Sequence, residues 1–213
     1  MSLNLTPERA RIFRITHVNN VPWIVRNGLW CPSSGNRDPG FITIGNADVI
    51  GKRSSRHVPL PPGGVLEDYV PFYFTPCSVM LFNIITGYTV PRRERDEIAI
   101  LVSSLEKLQE NDVQFVFTDR HALVAYAKFY DDVSALDRID WALLRNLDFR
   151  RDDADPGKVE RYQAEALAYR SVPTESLLGL ACYAETTRDK VVSMLKDAGV
   201  DLPVVVKRDW FFG

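Results

Sequence analysis

Apolar and polar positions along the chain change period several times, and the changes mark out alternating short strands and helices. Residues Arg11 to Val18 (RIFRITHV) alternate, with Ile12, Arg14 and Thr16 on one face and Phe13, Ile15 and His17 on the other. A short helix is predicted next, with Asn20 as its N-cap, Pro22 in its first turn and Gly28 as its stop. Val70 to Thr75 reads as a strand, and Ser78 to Thr86 as a helix capped by Ser78 and ended by Gly87. Glu97 to Ser103 and Gln114 to Thr118 are short, apolar and β-rich, as central strands are. Further strands are predicted over Ala164 to Ser171, Leu177 to Ala184 and Pro203 to Lys207. Between the last two, Thr187 to Ala198 puts Val191, Met194, Leu195 and Ala198 on one helical stripe, with Gly199 at its end.

Two stretches depart from this rhythm. Cys31 to Gly64 is rich in Pro, Gly and Ser, carries Lys52, Arg53, Arg56 and His57, and is predicted as one long loop. Loops of that length inside a compact domain are usually functional. From Arg120 to Arg161 the pattern breaks into helical fragments joined by charged loops, notably Arg150 to Pro156 (RRDDADP). No repeat and no clean boundary is visible, so the expectation is one α+β domain with a mixed sheet.

Composition narrows the class. A chain of 213 residues, 46% hydrophobic and 25% charged, can bury one substantial core. Its longest apolar runs are too short to cross a bilayer, and Met1 to Arg11 lacks the basic and apolar regions of a secretory signal. Cys31, Cys77 and Cys182 are odd in number and scattered, which fits neither a disulfide framework nor a zinc pattern, so a reducing cytoplasm is expected. With a net charge of −2, the global field does not attract nucleic acid, and any phosphate contact needs a local basic patch.

Common catalytic signatures are absent: there is no GxGxxG after a strand, no P-loop, no HExxH and no GxSxG. Three histidines, at 17, 57 and 121, give little support to an imidazole metal centre, and no metal is expected. A few polar groups in odd places remain. Glu165 opens an apolar strand and shares a face with Leu167 and Tyr169. On position alone it reads as a solvated strand end before a cleft carboxylate. Arg53 reads likewise as a solvated loop charge. His17 reads as a satisfied core histidine before a catalytic one. The Phe72-Tyr73-Phe74 run reads as mostly core, with alternation setting Tyr73 opposite its neighbours, on the side where it could line a cleft.

Taken together, six blocks resemble a known family: RIFRITHVNNVPWIVRNGLWC, FITIGNADVIGKR, GGVLEDYVPFYFTPCSVMLFNI, EIAILVSSL, FVFTDRHA and ERYQAEAL. In this order and spacing, over nearly the full length, they are similar to the DarT toxins of DarTG toxin–antitoxin systems. IGNADVIGKR and VPFYFTP are closest to the thymidine-modifying branch. The resemblance implies a single ADP-ribosyltransferase domain over 1–213, distantly like poly(ADP-ribose) polymerases, with a mixed, split β-sheet core and peripheral helices. It implies NAD as substrate, release of nicotinamide, and transfer of ADP-ribose to thymine N3 in single-stranded DNA within a preferred short sequence. The implied partners are single-stranded DNA and a macrodomain antitoxin, with no membrane association. Alternatives are guanine in DNA, RNA ends or protein as acceptor, and a non-catalytic nucleotide- or DNA-binding module.

Residue by residue, the resemblance makes Glu165 and Arg53 the catalytic pair. It assigns Arg14, Ile15 and Thr16 to the nicotinamide end through main-chain and Thr contacts, Trp23 and Tyr73 to the cofactor's surroundings, and Arg53 to NAD as well. Residues 31–58 are to cover the adenosine half, and residues 121–164 to read DNA. Arg14 stands where some members carry histidine, and Val79 where many carry proline. Within 121–164, Tyr126, Phe129, Tyr130, Trp141 and Phe149 are expected to pack in the core first and to stack on bases second. Arg145, Arg150, Arg151 and Lys158 are candidate phosphate contacts, diluted by Asp148, Asp152, Asp153 and Asp155.

Overall fold

A computed structural model describes residues 4–36 and 38–213. Met1 to Leu3 of the expected leaderless N-terminus, and Arg37 within the 31–58 segment, lie outside the described residues. Strand β1 (Arg11–His17) leads through a single 3-10 turn into α1 (Val21–Asn27). Gly28 ends α1 with φ 77°, and its N–H bonds Ile24 O at 2.7 Å. A Cβ at Gly28 would stand 2.7 Å from Val172 O, so only glycine lets the chain turn here into β2 (Leu29–Trp30). Asn20 does not cap α1. It has helical dihedrals and no side-chain cap bond, because its amide is engaged elsewhere.

The stretch 31–64 is not loop throughout. Residues Ala47–Arg53 form α2, capped by Asn46, whose Oδ1 accepts from Asp48 N and Val49 N. The remaining elements follow in chain order: β3 (Tyr69–Tyr73), α3 (Val79–Thr86), β4 (Ile98–Ser104), α4 (Leu105–Glu110), β5 (Phe115–Thr118) and β6 (Phe129–Tyr130). After these come α5 (Trp141–Asn146), α6 (Lys158–Tyr162), β7 (Glu165–Tyr169), β8 (Ser171–Val172), β9 (Gly179–Cys182), α7 (Glu185–Ala198) and β10 (Val204–Val206). Ser78 and Gly87 bound α3 as expected, the serine accepting from Leu81 N at 3.1 Å. The run expected as one strand over 164–171 is two, because Arg170 at φ 62° breaks the extended backbone.

Eight strands form one mixed sheet in the order β10-β9-β4-β1-β3-β7-β5-β6, with β10 and β9 parallel and the other neighbours antiparallel. Strands β2 and β8 make a separate pair. The large sheet is split. Strand β1 pairs with β4 along its whole length, from Arg11↔Ser104 to His17↔Ile98, but meets β3 only at Phe13↔Tyr73. Beyond that rung the two strands part.

One face of the sheet carries the main core, including Val70, Phe72, Ala166 and Ala168. The opposite face of β3 and β7 carries a smaller cluster of Tyr69, Leu167 and Val116, closed over by Val58, Leu66 and Ala122. This second cluster brings residues 53–66 and 119–124 together above the strands. His17 is buried, accepts from Asn19 N at Nδ1 (3.1 Å) and lies 3.6 Å from Glu97 through Nε2. It is the satisfied histidine its position suggested.

Candidate active site

Glu165 is the first residue of β7 and pairs with Tyr73 across the β3–β7 ladder. It faces the same side as Leu167 and Tyr169, at the end of the smaller cluster. It is not a solvated strand end. Glu165 is 2% exposed and Arg53 7%, and Arg53 Nη1 donates to Glu165 Oε2 at 2.9 Å. The reading of Arg53 as a solvated loop charge fails for the same reason. Helix α2 ends on Arg53 and turns its guanidinium inward over β7.

The other carboxylate oxygen, Oε1, accepts from Ala122 N at 3.1 Å, and Glu165 N donates to Thr118 Oγ1 at 3.2 Å. Arg56 holds the segment that supplies Ala122: it donates to Ala122 O (3.3 Å), Val124 O (3.1 Å) and Ala125 O (3.3 Å), and stacks over Phe129. Two arginines three residues apart thus serve the site differently, Arg53 by charge and Arg56 by fixing the main chain that donates to Glu165.

Burial pushes the Glu165 carboxyl up. The Arg53 guanidinium, His121 and the Ala122 N–H more than offset this and hold it below the ordinary carboxylate range. It is therefore an anion at neutral pH. His121 Nδ1 lies 3.6 Å from Glu165 Oε1 but accepts from Leu123 N at 3.2 Å. Burial, then the Glu165 charge, pushes the Tyr73 hydroxyl well above its ordinary range, partly offset by Arg53 and Arg14. Tyr73 stays a neutral phenol. Arg53 Nη2 is buried without a hydrogen-bond partner among the described residues, so it is a donor left for an entering acceptor.

Across the split, Arg14 reaches from β1 to β3 and donates through Nη1 to Pro71 O at 2.8 Å. Its side chain stands where ladder bonds would otherwise run. Burial pulls its guanidinium down to about 10, still cationic at neutral pH, and its Nε is a second unpartnered buried donor. Arg14 also lines a recess of about 450 Å³, open solvent included, with Trp23, Trp30, Asp38 and Phe41. Thr16 is buried beside this wall and accepts from Asn20 Nδ2 at 3.1 Å. The side chain of Ile15 packs against the main core, and the residue pairs with Ile100 of β4. The structure therefore gathers Arg14, Thr16, Trp23 and Tyr73 with Arg53 and Glu165 around one split in the sheet.

The 121–164 region divides differently from its aromatic content. Trp141 is core: its Nε1 bonds Leu136 O at 2.7 Å and its ring meets Phe74 edge-on. Tyr130 stacks on Phe117, and Phe149 packs among Phe82, Tyr162 and Phe212. Tyr126 stands out at 60% exposed, with the Arg120 guanidinium 4.9 Å over its ring and its phenol bonded to Glu160. Of the candidate cations, Arg145 is tied to Leu5 O, Arg150 and Lys158 to Asp148, and Arg151 is exposed. Among the described residues no group of His, Cys, Asp or Glu converges as a metal site, and no helix is long and apolar enough to cross a membrane.

Reasoning from sequence missed Arg56, the Ala122 N–H, the contact of His121 with Glu165, and the work of Asn20. The order of the blocks FTDRHA and QAEAL hinted at His121, since antiparallel strands β5 and β7 bring their ends together.

The site is thus a split mixed sheet with a buried Arg–Glu pair at its mouth and an aromatic recess alongside. A family model described as "ssDNA thymidine ADP-ribosyltransferase, DarT" matches residues 13–212, and the chain belongs to the DarT family. It is 46% identical over 212 residues to a DNA ADP-ribosyl transferase of Escherichia coli O127:H6, covering 99% of this chain and 97% of the relative. Among solved structures it is similar to Thermus sp. 2.9 DarT in complex with ADP-ribosylated ssDNA, with a TM-score of 0.90, 32% identity, and coverage of 99% of this chain and 100% of that one. The same Thermus protein in complex with NAD+ matches with a TM-score of 0.83 at 32% identity, covering 96% of this chain and 98% of that one.

Proposed function

We propose that Glu165 and Arg53 form the catalytic centre of an NAD-dependent enzyme that joins ADP-ribose to thymine N3 in single-stranded DNA. The observation that carries this reading is a buried carboxylate held anionic by Arg53 where the sheet splits. Cleavage of the bond between nicotinamide and ribose passes through an oxocarbenium-like state, and its electron pair leaves with neutral nicotinamide. An anion fixed in a water-poor site stabilises the positive charge that develops at ribose C1. Thymine N3 then bonds C1 and gives up its proton, for which the Glu165 carboxylate is an available acceptor. The unpartnered Nη2 of Arg53 supplies a donor for a phosphate or a thymine carbonyl.

In this reading Arg14, Ile15 and Thr16 hold the nicotinamide end, Trp23 and Tyr73 border it, and residues 31–58 cover the adenosine half. The two unpartnered guanidinium donors, on Arg14 and Arg53, suit an anionic, acceptor-rich ligand. Residues 121–164 read the DNA through a preferred short sequence, with Tyr126 as a stacking surface. The chain works in the cytoplasm as the toxin of a pair whose macrodomain antitoxin removes the modification. Incubation with NAD and oligonucleotides that contain or lack thymine, read by intact mass, tests the acceptor. Added mass on guanine-only strands, RNA or protein supports a rival acceptor instead.

A further inference from the structure

We propose that Asn20 is a positioning residue that clasps the 31–58 segment over the NAD site and orients Thr16 beneath it. Asn20 is 1% exposed. Its Oδ1 accepts from Ile42 N at 2.9 Å, and its Nδ2 donates to Ile42 O at 3.0 Å and to Thr16 Oγ1 at 3.1 Å. A backbone N–H only donates and a carbonyl only accepts, so the exchange with Ile42 fixes which way the amide faces. The amide thereby does for Ile42 what a strand partner does, in a segment with no sheet neighbour.

Among the described residues, these two bonds are the hydrogen bonds that join residues 38–45 to the rest of the chain. The ends of the segment are held separately, by Ser33 on Asp68 (2.7 Å) and by α2. Phe41 and Ile44 pack against the main core on either side of the clasped residue. The third bond sets the polarity of Thr16. Its oxygen accepts from Asn20, so its hydroxyl proton remains to be donated, which suits a carboxamide oxygen. Asn20 acts through Ile42 and Thr16 and not by touching the reacting atoms.

This inference rests on the reading that residues 31–58 cover NAD, and the test keeps the two apart. Asn20→Ala removes all three bonds, and Asn20→Asp keeps an acceptor for Ile42 N–H but sets a carboxylate against Ile42 O. Ile42→Ala is the control, because it spares both main-chain bonds. Three readouts are compared: thermal melting, limited proteolysis within 31–58 before NAD is added, and KM for NAD against kcat on a thymine oligonucleotide. Both Asn20 variants should be cut faster within 31–58. Their KM should rise on the order of tenfold, as expected for two or three lost hydrogen bonds, with kcat at saturating NAD within about threefold. Unchanged cleavage with unchanged KM, or a loss confined to kcat, overturns the proposal. Hydrogen exchange on the unmodified chain needs no variant: the Ile42 amide should be protected without NAD while Thr43 exchanges freely, and equal rates overturn the clasp. An unmodified chain that fails to bind NAD while Ile42 stays protected overturns the reading of the site and leaves the clasp itself standing.

Discussion

Arg53 and Glu165, 112 residues apart in sequence, meet in a 2.9 Å ion pair in the protein interior. The pair is closed from above by the Ala122 N–H and from below by the β3–β7 ladder. Its two members come from a helix end and a strand start, so its geometry depends on the packing between the 53–66 and 119–124 segments. Breaking such a buried pair from one side leaves an uncompensated charge, at a cost of about 3–5 kcal/mol.

That cost shapes the first mutation. Glu165→Gln keeps the shape and an acceptor for Arg53 but leaves the guanidinium without its counter-charge, so the variant should still melt cooperatively, at a lowered Tm, while transfer falls at least about 10²-fold. Intact-mass rates on a thymine oligonucleotide measure this. More than a tenth of the original rate would exclude Glu165 as the stabilising carboxylate.

Arg53→Lys should fail nearly as badly as Arg53→Ala. A lysine can restore a point charge beside Glu165, but it cannot bond Glu165 Oε2 through one nitrogen and offer a second, fixed donor as the guanidinium does. Transfer rate at saturating NAD, with NAD affinity by calorimetry, is the comparison. Full rescue by lysine would mean that charge alone matters.

The depressed Glu165 carboxyl links stability to pH with a definite sign. Its folded-state value lies below the unfolded one, so the unfolded chain takes up the proton first as pH falls. The contribution is complete above the ordinary carboxylate range and is lost as pH drops through the depressed value. The difference in Tm between the unmodified chain and Glu165→Gln should hold steady from neutral pH to the ordinary carboxylate range and shrink below it. A difference already shrinking at about pH 6–7 would point to a histidine instead.

Much of the fold was legible because apolar runs with β-rich composition leave little choice. Strands β1, β3, β4, β5 and β9, and helices α3 and α7 with their Ser78, Gly87 and Gly199 signals, follow from pattern. Helix α2 was not legible, since ADVIGKR is short, contains Gly51 and carries no apolar stripe. Pairs such as β2 with β8 are two residues long, and tertiary contact makes them strands, not periodicity. Local pattern placed Glu165 and Arg53 in solvent, because burial of a charge depends on a partner distant in sequence. Only the order of the blocks singled them out. Asn20 misled for a related reason: a residue suited to capping a helix used the same amide to hold a loop.

Tyr126 is the aromatic of the 121–164 region that the fold leaves open. Its ring is braced by Arg120 on one side and its phenol by Glu160. Tyr126→Ala should weaken binding of single-stranded oligonucleotides by about 1–3 kcal/mol and leave KM for NAD unchanged, whereas Tyr126→Phe should keep most of the affinity. Fluorescence anisotropy on a labelled strand decides it. Undiminished binding by the alanine variant would remove Tyr126 from the DNA surface.

The most direct test of the whole account is a single oligonucleotide bearing one thymine, incubated with NAD single-stranded or annealed, across a salt series and beside a copy with cytosine in place of thymine. The expected result is one ADP-ribose on the single strand, none on the cytosine copy, and strong suppression by annealing, since a paired base must leave its stack at a cost of a few kcal/mol. Because the net charge is −2, binding should also have a shallow salt slope, about −0.7 per phosphate neutralised with few phosphates engaged. Equal modification of duplex and single strand, or modification of the cytosine copy, would contradict the account.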